Sequence, residues 1–252
     1  MVQVYFIGAG PGDVELLTIK ARSIIQQADV VIYADSLVNP DICSFAGKDA
    51  RIYKSAGLTL QDITGIIADA VKRGRTVARL QSGDPSIYGA IAEQMALLDE
   101  MGIEYEVVPG VSSLFAAAAL LKIELTVPEL SQTVIITRME GGTPVPAAEN
   151  LRSLASHGTT IALFLSASLA KDAVAALIEG GYKSSTAAAI VYKAGWPDNK
   201  VIRTTLKDLE EQLSSNRIDK QALILIGKAL DKRRNSSRSK LYDADFKHEY
   251  RK

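Results

Sequence analysis

Val2-Gln3-Val4-Tyr5-Phe6-Ile7 runs directly into Gly8-Ala9-Gly10-Pro11-Gly12-Asp13. The first six residues are mostly β-branched or aromatic and read as a strand. The glycine-rich turn after them lets backbone approach a ligand closely and aims N–H groups at it. A helix-period segment follows over Glu15–Gln27, where Leu16, Leu17, Ile19, Ile24 and Ile25 make an apolar stripe. Strand, tight turn and helix open an α/β sheet. The turn departs from the dinucleotide fingerprint, because Asp13 replaces the third glycine and Pro11 removes a donor N–H. No acidic residue closes a second strand at the spacing a ribose ligand needs; Asp35 lies further along and outside the strand. That disfavours a nucleotide-dependent oxidoreductase. The absence of Gly-Lys-Ser/Thr excludes a P-loop.

The same alternation continues outward. Val30–Tyr33, Arg51–Tyr53, Thr76–Leu80 and Tyr105–Val108 read as further strands. Leu60–Lys72 and residues 89–101 read as helices, the first opened by Thr59 and Asp62 at capping-box spacing. Near 122–131 the helix period is lost around Pro128, and a second series begins. Its strands are predicted at Thr133–Thr137, Thr160–Leu165, Ala187–Tyr192, Val201–Thr204 and Ala222–Ile226. Its helices are predicted at about 147–156, 168–179 and 205–214, with Thr205 and Asp208 again at capping-box spacing. The reading is two α/β domains, 1–120 and 130–230, followed by a tail, 231–252. The tail carries eight Lys/Arg against four Asp/Glu. It reads as a solvated terminus, except that Leu241, Tyr242, Phe246 and Tyr250 point to docking on the body or on a partner chain.

Composition removes several classes. The 252 residues hold 29 Lys+Arg and 29 Asp+Glu, so the basic surplus expected of a nucleic-acid groove binder is missing. One cysteine, Cys43, and two distant histidines, His157 and His248, give neither a disulfide framework nor a His/Cys metal site. No apolar run reaches the roughly 18 residues of a membrane span. With no basic segment before the first strand, the expected location is the cytoplasm.

Two more strand-to-helix turns carry small polar residues. Gln81-Ser82-Gly83-Asp84-Pro85-Ser86-Ile87-Tyr88-Gly89 follows one strand, and Val107-Val108-Pro109-Gly110-Val111-Ser112-Ser113 ends another. Either alone is also how a tight turn or an N-cap looks. Three such turns in one domain point to a shared ligand crevice at the carboxyl ends of the strands.

GAGPGD at 8–13, SGDPSIYGA at 82–90 and VVPGVSS at 107–113 together resemble the tetrapyrrole methylases, across essentially the whole chain. YADSLVNP at 33–40, TRMEGGTPVP at 137–146, ALFLSAS at 162–168 and VYKAGWPDNKVIRTT at 191–205 resemble the branch of that family that methylates a corrin precursor at ring carbon C11. SKLYDADFKHEYRK at 239–252 carries the same resemblance. The resemblance implies two domains, each with a mixed sheet flanked by helices, and an active site in the cleft between them. It implies S-adenosylmethionine as methyl donor, a small-molecule tetrapyrrole as acceptor and a homodimer. Other acceptors on the same fold, such as uroporphyrinogen III or a non-tetrapyrrole molecule, are the alternatives.

Carried over position by position, the resemblance assigns the cofactor to Pro11, Ser82, Gly83, Asp84, Ile87, Ser112, Ser113, Ser166 and Ala194. Ser166 and Ala194 are expected from the second domain. A carboxylate-fringed macrocycle needs cations, and Lys54, Arg138 and Lys193 are the candidates, with Ser36 beside them. Arg79 is equally charged but sits within a strand. Asp35 matches a proton acceptor of related enzymes, offset by the extra Ala34, and pairs with Lys54 as the catalytic set. Tyr88, Tyr192 and Trp196 are candidate shelves for the ring. Two positions depart from the pattern: Gly142 stands where this branch usually has Arg, and Gly195 where it has Thr or Ser.

Overall fold

The computed structural model describes residues 2–231 together with Phe246, Lys247, Glu249 and Arg251. Of the tail positions singled out above, Leu241, Tyr242 and Tyr250 lie outside the described residues, and Phe246 is exposed. The chain divides into two compact units. One holds the residues up to Ala116 and takes back Lys193–Asp198; the other holds Ala117–Tyr192 and the described residues from Asn199 onward.

The first unit is built on five strands: β1 (Val4–Gly8), β2 (Val30–Tyr33), β3 (Arg51–Lys54), β4 (Val77–Gln81) and β5 (Tyr105–Val108). Their spatial order is β3-β2-β4-β1-β5, and every pairing is parallel. The mixed pairing expected of both sheets is therefore a property of the second sheet only. Parallel strands require crossovers, supplied here by α1 (Ile19–Gln27), α2 (Leu60–Lys72), α3 (Ala92–Glu100) and a 3-10 turn over Pro40–Phe45. Helix α4 (Ser113–Leu121) follows β5.

Alternate residues of each strand face opposite layers. Ile7, Val31, Tyr33, Ala78 and Leu80 pack with Ala21, Ile25 and Ile42, whereas Val4, Phe6, Val30, Ile32 and Val77 pack with Ile63, Ile67, Ala70 and Leu98. Arg79 and Gln81 take the next two positions of the second layer, so a cation and an amide continue an otherwise apolar row.

The helix expected over Glu15–Gln27 is broken. Val14–Leu16 forms a 3-10 turn under Asp13, and Thr18 starts α1 by accepting a hydrogen bond from Ala21 N at 3.1 Å. A side-chain cap outcompetes the continuous apolar pattern at that point. The Thr59–Asp62 capping box forms in both directions. At Thr205 the hydroxyl donates to the Asp208 carboxylate at 2.6 Å, and no backbone N–H bonds the threonine side chain.

The second unit's sheet contains β6 (Val134–Arg138), β7 (Thr160–Phe164), β8 (Ala187–Tyr192), β9 (Lys200–Thr205) and β10 (Ala222–Ile226), in the order β6-β7-β10-β8-β9. Only β6 and β7 are parallel. Helices α5 (Leu151–Ala155), α6 (Ala170–Glu179) and α7 (Leu209–Ser215) cover a core of Ile161, Leu163, Ile190, Ile224 and Ile226. No helix among the described residues is long and apolar enough to cross a membrane.

Ile67 is fully buried in the α2 layer, whereas Ile19 is 90% exposed. Ile67→Ala is expected to lower unfolding stability by about 2–5 kcal/mol and Ile19→Ala by less than about 0.5 kcal/mol. Chemical denaturation followed by circular dichroism measures both, and equal effects would refute this layer assignment.

Candidate functional site

Because the first sheet is parallel and in register, Lys54, Tyr33, Leu80, Ile7 and Val108 form one row across it. All five following loops therefore leave the same edge of the sheet. The three predicted turns meet there. Gly10 and Gly83 exchange backbone hydrogen bonds of 3.2 and 2.8 Å. A Cβ on Gly8 would lie 2.4 Å from Gly110 N and 2.8 Å from Gly83 O, so these backbones touch only because side chains are missing. Among strands, β1 and β4 lie where the order of chain connections reverses, the usual place for a ligand crevice.

Asp84 ties two turns together. One carboxylate oxygen accepts from Ser86 N at 2.9 Å and from the Ser86 hydroxyl, and the other accepts from Gly110 N at 2.9 Å. Partial burial pushes this carboxyl up. The hydrogen bonds from the Ser86 hydroxyl, Gly110 N–H and Ser86 N–H outweigh it and hold the group below its ordinary range. Ser82 and Ile87 are half-buried in the same loop, and Pro11 is buried in the first turn. Ser112 is buried, with its hydroxyl accepting from Leu114 N at 3.3 Å, and Ser113 opens α4.

Ala194 belongs to this cluster through the first unit, which corrects its expected place in the second domain. The turn Lys193–Trp196 packs on the Gly8–Asp13 loop: Trp196 Cδ1 would be 2.2 Å from a Cβ on Gly12. Gly195 has φ +85°, and a Cβ there would stand 3.1 Å from Asp13 N. A β-branched Thr is strained in that conformation. Glycine therefore allows this close fit.

Ser166 belongs to the second unit. It is fully buried, donates to Phe164 O at 2.6 Å and accepts from Met139 N at 2.8 Å, so its hydroxyl joins the ends of β6 and β7.

The expected cations differ in what they hold. Arg138 donates to its own loop, to Met139 O at 3.2 Å, Thr143 O at 3.1 Å and Pro144 O at 2.7 Å. Lys193 pairs with Asp198 at 2.6 Å and lies 5.3 Å from the Trp196 ring centre. Lys54 is exposed at the end of β3 and has no ion pair among the described residues. Asp35 and Ser36 form the turn after β2, and Asp35 accepts from Ala56 N at 3.0 Å. Burial raises the Cys43 thiol, with Lys54 opposing. A Cβ at Gly142 would meet nothing, so sterics do not exclude the usual Arg.

The sequence reading assigned no role to the bonds that follow. Buried Asn39 donates to Gly12 O at 2.8 Å and caps the Pro40 turn; the Asn-Pro pair was the available signal. Buried Arg79 and Gln94 bond each other at 3.2 Å, with no local motif to announce it. Gln81 Nε2 is a buried donor without a partner among the described residues. No group of three His, Cys, Asp or Glu among them is placed to hold a metal ion.

A parallel α/β sheet with glycine turns meeting at its carboxyl edge defines a ligand-binding α/β protein. A family model described as tetrapyrrole (corrin/porphyrin) methylases matches residues 3–210, and the chain belongs to that family. The cobalt-precorrin-4 C(11)-methyltransferase of Methanocaldococcus jannaschii is 53% identical over 250 residues, 99% of this chain and 96% of the relative. The precorrin-4 C(11)-methyltransferase of Pseudomonas aeruginosa is 42% identical over 248 residues, 98% of each chain. The X-ray structure of a cobalt precorrin-4 methyltransferase matches with TM-score 0.88 and 51% identity, covering 90% of this chain and 95% of the other.

Two outcomes follow from this geometry. Gly8→Ala forces the β1 turn away from Gly110, so amide exchange at Ala9 and Gly83 should accelerate in the folded protein; unchanged protection would refute the contact. The lowered Asp84 carboxyl adds stability that is complete above the unfolded pKa of about 3.9 and is lost as pH falls through its folded value. The stability difference between wild type and Asp84→Asn should therefore shrink on acidification below about pH 4. A pH-independent difference would sink that assignment.

Proposed function

We propose that this protein is an S-adenosylmethionine-dependent C-methyltransferase that methylates C11 of cobalt-precorrin-4 in corrin biosynthesis. The observation that carries this reading is 53% identity, over 99% of the chain, to a relative of that name. The metal-free acceptor is the second reading, supported by the 42% identical precorrin-4 enzyme. We further propose a cytoplasmic homodimer.

The residues fit a small donor held largely by main chain: Gly8, Gly83 and Gly110 bring three turns together without side chains between them. Pro11, Ser82, Gly83, Asp84, Ile87, Ser112, Ser113 and Ala194 are the proposed contacts from the first unit, and Ser166 is the proposed contact from the second. When bound, the donor supplies an activated methyl group with a neutral thioether as leaving group. Positioning is then the protein's main contribution, worth up to roughly 7–11 kcal/mol.

Asp84 orders the turns, as its bonds to Ser86 and Gly110 require. Lys54 is the proposed partner of a substrate carboxylate, since Arg138 and Lys193 already hold other groups. Ser36, Arg138 and Lys193 are proposed further contacts at the rim of the acceptor. Adding a cationic methyl to the ring must be balanced by loss of a proton, and Asp35 is the proposed acceptor of it.

Purified protein incubated with methyl-labelled S-adenosylmethionine and cobalt-precorrin-4 should yield a product whose new methyl NMR assigns to C11. A methyl at another carbon, or none with competent reagents, would overturn the proposal; turnover of metal-free precorrin-4 alone would favour the second reading. Calorimetry should show S-adenosylhomocysteine bound and NAD not bound.

A further inference from the structure

Arg79 is 5% exposed, and its guanidinium meets only neutral acceptors among the described residues. Nε donates to Gln94 Oε1 at 3.2 Å, and one terminal nitrogen donates to Ser55 Oγ at 3.0 Å and to Leu80 O at 3.4 Å. Burying a cation without a carboxylate is costly. The cost lowers its pKa to about 10, which leaves it charged at neutral pH. Apart from Gln81, the neighbouring strand positions of that layer are apolar, so packing alone does not call for an arginine.

Its two side-chain partners lead to different loops. Gln94 Nε2 donates to Ala90 O at 2.9 Å, at the end of the Ser82–Ala90 loop. That loop carries two non-glycine residues at positive φ, Tyr88 (55°) and Ala90 (49°), and such conformations persist only when the surroundings hold them. On the other side, Ser55 lies between Lys54 and Ala56, whose N–H holds the Asp35 carboxylate. Ser55 N also donates to Tyr33 O at 2.9 Å. A guanidinium presents donors in a fixed fork and can address both loops at once; an ammonium on a flexible stem cannot fix two directions.

We propose that Arg79 is a positioning residue that, through Gln94 and Ser55, locks the Ser82–Ala90 loop on the donor side to the Lys54–Ala56 and Asp35 turns on the acceptor side. The inference rests on the proposed function for what those two sides bind. It assigns separable duties to the two arms: the Gln94 arm governs donor affinity, and the Ser55 arm governs the acceptor.

The test uses the full chain. Gln94→Glu keeps an acceptor for Arg79 but removes the amide donor to Ala90. It should retain the melting temperature, weaken S-adenosylhomocysteine binding roughly tenfold in calorimetry, and leave the acceptor KM within about twofold. Ser55→Ala should give the reverse split. Arg79→Lys should weaken both, with methyl transfer reduced accordingly. Gln94→Leu, which cuts both bonds of the first arm without adding charge, should match Gln94→Glu in donor affinity. Unchanged donor affinity in folded Gln94→Glu and Gln94→Leu, or equal shifts of both constants in every variant, overturns the positioning role. A wild-type chain that binds no S-adenosylhomocysteine overturns the proposed function, and this inference with it.

Discussion

Backbone contact between Gly8, Gly83 and Gly110 is the constraint on which the candidate site depends. A Cβ on Gly110 would stand 2.2 Å from Gly83 O and 2.7 Å from Gly8 Cα, so no side chain is tolerated at Gly8 or Gly110. Parallel register places the three turns side by side, and the missing side chains let them close. The polar bonds then follow: Gly10 with Gly83, Ala9 N with Gln81 O, and Asp84 with Gly110 N. Each is short range and could not form if the turns stood one side chain further apart.

The layer behind the turns explains how such a glycine-rich edge holds its shape. Glycine costs conformational entropy on folding, and the loops at this edge also carry strained positions at Tyr88 and Ala90. Asn39 secures Gly12 from one side, and the Gln94 amide secures Ala90 from the other. These are buried or partly buried side-chain bonds to backbone. They limit loop motion without placing bulk in the crevice, which suits a ligand held by main-chain groups.

Much of this was legible in the sequence, and the parts that were not share a physical reason. Strand Tyr105–Val108 and helix Leu60–Lys72 match their expected bounds, because β-branched runs and a capping box are local signals. The three turns were visible as glycine and serine clusters at strand ends. The break at Thr18 was hidden because Leu16, Leu17 and Ile19 continue the helical stripe across it. Ala194 was placed in the wrong unit for a related reason: the chain recrosses at Lys193–Asp198 without any change in composition. The Arg79–Gln94–Ala90 linkage depends on residues 15 and 4 positions apart meeting in three dimensions, which no motif records.

The two departures from the branch pattern have different physical standing. At Gly195 the backbone itself selects glycine: φ is positive, and a Cβ there would press on Asp13 N and Pro11 Cγ at 3.1 Å each. A larger residue would move the Lys193–Trp196 turn off the first loop, so the glycine and the close packing of Trp196 on Gly12 belong together. At Gly142 nothing selects glycine, since a Cβ would point into open space. Arg138 meanwhile closes the same loop through the carbonyls of Thr143 and Pro144. An arginine at 142 would therefore add a mobile cation at the surface of a loop already fixed by another. Its absence removes charge from that loop without altering the loop's shape.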